Sequence, residues 1–154
     1  DQSVIFFLMK KLNKSAEEVN KILQKEAGML GLTGHSDLRE ISEKATNGDE
    51  NCKNALQLAA YRIQKYIGAF TATLNGLDAI VFTAGIGENS SLIRKLVCSE
   101  MEYLGIGLDT KKNQNYSAQI RHIHTDDSKV KIMVVPTDEE LEIAKQAYSL
   151  IVSK

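Results

Sequence analysis

The stretch Leu77–Ser90, LDAIVFTAGIGENS, constrains this chain more than any other. It opens with an apolar run from Leu77 to Phe82, broken only by Asp78. That reads as a strand buried on both faces, as inside a parallel sheet. The chain then turns through Gly85 and Gly87. Beyond Asn89 and Ser90 the apolar residues switch to helical spacing: Ile93, Leu96, Val97, Met101 and Leu104. Strand, glycine turn and helix start together make a phosphate- and nucleotide-binding arrangement. Glycines let backbone N–H groups approach a ligand, and a helix start offers unpaired donors and partial positive charge. The same residues also suit an ordinary strand-to-helix connection, since short glycine motifs recur by accident.

The rest of the chain sets that stretch between helices. Ser3–Leu12 is predicted as a short amphipathic helix with Ile5, Phe6, Met9 and Leu12 on one face. Ser15 and Glu18 have capping-box spacing at the start of the next helix, which Gly28 ends. GMLGLTGHSDLRE is expected to be a glycine-punctuated loop, with a helix from about Asp37 to Thr46. Asn47-Gly48 is a turn. The longest helix runs from Asp49 or Glu50 to about Asn75, with one buried stripe through Leu56, Ala59, Ile63, Tyr66, Ile67, Phe70 and Leu74. After the central strand and its helix, YLGIGLDTKKNQN turns and becomes polar. Gln119–His124 is a weak edge strand. Val130–Val135 is a clear one, stopped by Pro136. Glu139–Val152 is the last helix.

This order of elements is α/β, with helices packing on a small, mostly parallel sheet. Its 154 residues are one domain's worth. Two clear strands and one weak one are few for so many helices, so further strands are expected before Asp1. The absence of an initiator Met points the same way. A net charge of −1 gives no electrostatic case for nucleic acid or an anionic membrane. No apolar run would span a bilayer, and no leader peptide is evident. Cys52 and Cys98 lack metal-ligand spacing and read as free thiols in a reducing, cytoplasmic setting.

Two further groups could carry chemistry. In VVPTDEELEIAK a strand ends at Pro136, and Thr137, Asp138, Glu139 and Glu140 open a helix. Acidic residues there suit the helix dipole and an N-cap. In a parallel sheet, however, strand C-terminal ends share one edge, where ligands bind. One carboxylate could then face the Gly85–Gly87 turn across a crevice and hold Mg²⁺ together with phosphate oxygens. His35-Ser36-Asp37-Leu38-Arg39 offers an Asp and an Arg that could grip a nucleoside, although an Asp N-cap beside a solvated Arg explains them as well. His122 and His124 have no acidic or cysteine partner at metal-site spacing and read as a surface strand.

Taken together, DQSVIFFLMKKLNKSAEEVNKILQKEAGMLGLTG, SDLREI, FTAGIGENS and VKIMVVPTDEELEIA resemble the C-terminal part of the acetokinase family, whose members include acetate, propionate and butyrate kinases. The resemblance implies a partial RNase H-like domain of the actin/Hsp70-like kinase superfamily, with a mixed sheet and flanking helices. It implies Mg²⁺-dependent, reversible phosphoryl transfer between ATP and a short-chain carboxylate, giving an acyl phosphate and ADP. Gly85, Ile86, Gly87, Glu88 and Asn89 match the family's nucleotide-binding turn. Asp37, Leu38 and Arg39 match its adenosine-contacting segment, and Glu139 its Mg²⁺-linked glutamate. Asp138 stands where Asn is commoner, Gln2 where Pro is usual, and Ala84 where many members have Gly; all three changes are expected to be tolerated.

By the same resemblance, the family's catalytic arginine sits just before the position of Asp1. The acetate pocket, a second arginine, a histidine and an essential Asp lie further upstream. No catalytic residue is therefore expected in this chain, which should supply the nucleotide side and be inactive alone. The intact protein is expected to be a homodimer. Two other readings compete. A dinucleotide-binding dehydrogenase would want a third glycine where Ser90 stands. A non-catalytic nucleotide-binding or interaction module would keep these same motifs.

Overall fold

The computed structural model describes residues 3–152, so Gln2 lies outside the described residues. The chain divides between Ala59 and Ala60 into two compact units.

The first unit is helical. α1 (Ser3–Leu12) forms as its apolar spacing requires, yet Ile5, Phe6, Phe7 and Leu12 are exposed. Ser15 starts α2 (Ala16–Lys21) with the expected reciprocal cap: its hydroxyl accepts from Glu18 N–H, and the Glu18 carboxylate accepts from Ser15 N–H. The chain continues through one π-helical turn, Ile22–Glu26. It then makes a short helix, α3 (Gly28–Thr33), where a loop was expected. Glycine content argued against that helix. The Thr33 hydroxyl donating to Met29 C=O and a left-handed cap at Gly34 fix it instead. Asp37 caps α4 (Leu38–Thr46), and α5 runs from Glu50 to Leu74. Val19, Ile41, Cys52, Ala55 and Leu56 are the buried apolar residues of this unit.

The second unit holds the sheet. β1 (Ala79–Phe82) pairs in parallel with β3 (Lys131–Val134), in the register Ala79 to Lys131 and Phe82 to Val134. β2 (Arg121–His122) pairs antiparallel with β3 on its other side, so the sheet is mixed, in the order β1-β3-β2. Ile132 and Val134 alternate inward from β3, the central strand, and pack with Ile80, Met101, Ile106, Ile123 and Val130. β1 is not buried on both faces: Val81 is 50% exposed. The helical elements that follow β1 in this unit are α6 (Ala84–Asn89), α7 (Ser91–Cys98), a 3₁₀ turn (Glu102–Leu104), α8 (Thr110–Gln114) and α9 (Glu139–Val152). α8 was not expected; Asp109 caps it through the N–H groups of Lys111 and Lys112.

The stripe predicted along α5 is only partly covered. Leu56 is buried and Ile67 packs on the sheet core, whereas Ile63, Tyr66, Phe70 and Leu74 are exposed. Periodicity identifies an apolar face but not what covers it. The Gln64 amide donates to Leu96 C=O at 3.1 Å and Ser99 C=O at 2.9 Å, satisfying the end of α7. Cys52 and Cys98 are free and buried, and burial pushes the Cys98 thiol up to about 12. No helix among the described residues is long and apolar enough to cross a membrane.

Ile132 is fully buried at the middle of the sheet, so Ile132→Ala should lower stability by about 2–5 kcal/mol. Urea unfolding followed by circular dichroism checks this.

Candidate functional site

Because β1 and β3 run parallel, their C-terminal ends leave the sheet at one edge. Val135 N–H donates to Phe82 C=O at 2.9 Å, and the Thr83 hydroxyl donates to Val135 C=O at 2.8 Å. These two bonds extend the ladder past the strands and start the following loops side by side.

After β1 the glycine segment is not an open turn. Residues 84–89 wind into α6, and the sharp change of direction falls on Ala84, whose φ is +57°. An L-residue in that left-handed conformation is strained by its own Cβ. Gly87 serves a different need. A Cβ there would lie 3.2 Å from the Phe82 carbonyl carbon, tighter than side chains ordinarily sit against backbone, so glycine lets α6 lie close to the end of β1 without pushing it aside. The Asn89 side-chain amide donates to Gly85 C=O at 2.8 Å, while Ile86 stays exposed. Ser90 then caps α7 by accepting from Ile93 N–H.

After β3, Asp138 caps α9, its carboxylate accepting from Leu141 N–H at 2.9 Å. An Asn would make the same bond, so the departure at this position keeps the cap. The two loops are joined by Glu88. One of its carboxylate oxygens accepts from Thr137 N–H at 2.9 Å and from the Thr137 hydroxyl at 2.8 Å. Those bonds hold the Glu88 carboxyl below its ordinary value.

Gly85, Glu88, Thr137, Asp138, Glu139 and Glu140 line one open crevice of about 420 Å³. The glycine segment and the acidic helix start thus meet as the strand topology requires. Among the described residues, nothing hydrogen-bonds or ion-pairs with the Glu139 carboxylate. No group of three or more His, Cys, Asp or Glu among them could cage a metal by itself. Glu140 lines the same crevice, equally unengaged among the described residues, and one or two free carboxylates there suit a hard cation that keeps waters and shares phosphate oxygens.

Asp37, Leu38 and Arg39 lie in the first unit. Asp37 accepts from Arg39 N–H at 2.8 Å and from the Arg39 guanidinium at 2.7 Å, which lowers its carboxyl to about 2. The Arg39 side chain is 92% exposed. The pair therefore has the form of an N-cap with a solvated arginine, leaving the guanidinium open to a ligand.

Several residues at the site were not legible in advance. Arg94, on α7, is buried and donates to Gly87 C=O at 2.8 Å and Glu88 C=O at 2.9 Å. It also reaches Asn113, which is buried with it. Arg121 donates to Glu88 C=O at 3.0 Å. Of these, only Arg94 left a signal: a charge in register with Ile93, Val97 and Cys98, on the buried face of its helix. His124, by contrast, is structural, its Nδ1 accepting from Ile132 N–H at 3.1 Å.

Residues 1–145 match the acetokinase family. The chain belongs to the acetokinase family. An acetate kinase of Flavobacterium johnsoniae is 60% identical to it over 151 residues, covering 98% of this chain and 38% of that protein. Among solved structures, the acetate kinase of Porphyromonas gingivalis is similar at a TM-score of 0.86 and 40% identity, over 98% of this chain and 38% of the other. A propionate kinase from Francisella tularensis gives a TM-score of 0.84 at 39% identity, over 94% and 36%. This acetokinase chain spans less than half the length of the relatives it matches. Its α/β fold, a small mixed sheet with flanking helices, is that of the acetate kinase structures and so of the actin/Hsp70-like class.

Two outcomes are expected at this site. The Glu88 carboxyl should titrate below 4.5, and Thr137→Val should raise its midpoint while leaving the backbone donor in place. Because the folded value is depressed, the contact stabilises the fold fully above pH 4.5 and is lost as pH falls through the folded midpoint. Carboxyl chemical shifts followed against pH test both statements. Ala84→Gly should raise stability by about 1 kcal/mol, by relieving the left-handed Ala, as measured by urea unfolding.

Proposed function

We propose that this chain is the C-terminal, nucleotide-binding part of an acetate kinase. In that reading Gly85–Asn89 seat the phosphates of ATP or ADP, Asp37, Leu38 and Arg39 contact the nucleoside, and Glu139 holds Mg²⁺ directly or through water. The observation that carries it is the single crevice shared by Gly85, Glu88 and Glu139 at the ends of two parallel strands. Membership of the acetokinase family supports it, as does the Glu139 carboxylate left unengaged among the described residues.

The reaction of the intact enzyme would move the γ-phosphoryl group from ATP to a carboxylate oxygen. The bond from phosphorus to the ADP oxygen breaks as the bond to the carboxylate forms, giving acetyl phosphate and ADP. Bound with the nucleotide, Mg²⁺ would neutralise phosphate charge. This chain's own residues would position the phosphates and exclude water from one side of them. Positioning and charge stabilisation supply nearly all of the catalysis in such transfers. We place the acceptor site and its cationic groups outside residues 1–154, so this chain alone should be inactive. Propionate and butyrate are the alternative acceptors, and the likeness to a propionate kinase keeps the first in play. The intact protein would be a cytoplasmic homodimer. Exposed apolar residues such as Ile143, Tyr148, Leu150 and Ile151 of α9 support a partner surface, and unpaired buried thiols support a reducing compartment.

Calorimetric titration with Mg-ADP tests the assignment. Wild type should bind. Gly87→Val should not, because its side chain would strike the Phe82 backbone. Glu139→Ala should bind ADP with the Mg²⁺ dependence lost. Acetyl phosphate and ADP should give no ATP with residues 1–154 alone. Binding that is indifferent to both substitutions would sink the site, and turnover matching an intact kinase would sink the division of labour.

A further inference from the structure

We propose that Arg94, together with Asn113, is a positioning residue that sets the shape of the Gly85–Asn89 segment before any nucleotide arrives. The inference rests on the nucleotide reading above. Arg94 and Asn113 are each 2% exposed, and they are the buried polar or charged residues among those described. A buried guanidinium is costly unless its donors are met. Here every acceptor is neutral. Nε donates to Asn113 Oδ1 at 2.7 Å and Nη2 to Asn113 C=O at 2.7 Å, while Nη1 reaches Gly87 C=O at 2.8 Å and Glu88 C=O at 2.9 Å. Asn113 is oriented in turn by its own amide, which donates to Ser91 C=O at 2.9 Å.

The two backbone acceptors identify the purpose. Gly87 and Glu88 lie in the last turn of α6, where helical carbonyls have no partner of their own. A six-residue helix containing two glycines does not hold its shape unaided. Arg94 supplies the missing donors and a positive charge at the helix's negative end. The planar fork spans both carbonyls and Asn113 at once, which an ammonium cannot do. Burial lowers the Arg94 pKa, but a guanidinium keeps its proton throughout the working range. The segment is thus held at its exit by Arg94 and at its entry by the Thr83–Val135 bond. A segment ordered in advance spares the nucleotide that ordering cost.

The test compares Arg94→Lys with Val97→Ala, a loss of buried methyl groups from the same helix that leaves the α6 carbonyls alone. Mg-ADP affinity is measured by calorimetry and melting temperature by calorimetric scan. Amide hydrogen exchange is followed at Ser90, whose N–H donates to Ile86 C=O, and at Lys131, whose N–H donates to Asp78 C=O. Arg94→Lys should weaken Mg-ADP binding about tenfold or more and speed exchange at Ser90 but not at Lys131. Val97→Ala, with a comparable drop in melting temperature, should keep wild-type affinity. Wild-type affinity in Arg94→Lys, or an equal loss in both variants, would overturn the inference. Should wild type itself not bind Mg-ADP, the nucleotide reading falls. The exchange data then decide the remainder: unchanged Ser90 exchange in Arg94→Lys removes the positioning role as well.

Discussion

The parallel pairing of β1 with β3 is the constraint on which the rest of the second unit depends. Strands joined in that sense must release their following segments at a common edge. Everything of chemical interest there descends from this: the Thr83–Val135 bond, the Glu88–Thr137 bond, and the crevice where the glycine segment faces the start of α9. An antiparallel pairing of the same strands would send the two motifs to opposite ends of the sheet. The side chains then fix what the topology only makes available. Ile132 and Val134 anchor the central strand, and Gly87 lets α6 come down onto its neighbour.

Much of this was legible because it is local. The capping box at Ser15 and the cap at Asp37 formed where short-range spacing put them. The strand before Pro136 and the 25-residue helix α5 followed from their apolar rhythm. The meeting of Gly85 with Glu139 was also foreseeable, since parallel topology makes it a rule of the fold. Local reasoning failed where an element is too short to show a period. α3 and α8 are short helices fixed by the side chains of Thr33 and Asp109, and neither has the periodicity of a longer one. Two glycines point to a turn in the motif, yet the left-handed residue is the alanine before them. Apolar stripes on α1 and α5 predicted helices correctly but not their exposure.

The buried Arg94 shows the same limit from the other side. A charge on an apolar helix face marks a position that must be satisfied, but not by what. Its acceptors are backbone carbonyls seven and six residues back and an asparagine nineteen residues on. Backbone carbonyls have no residue identity, so no side-chain pattern announces them. Asp37 and Arg39 are the opposite case. Their mutual bond is local enough to read directly, and it accounts for both residues without a ligand.

The position of β1 has a consequence for handling the protein. In the order β1-β3-β2, β1 has β3 on one side and, among the described residues, no strand on the other. Its outward amides and carbonyls, beside a half-exposed Val81, form a template onto which another extended chain can dock. Among residues 3–152 that margin is open to pairing with a further strand. With a net charge of only −1, there is little long-range repulsion to keep two such margins apart.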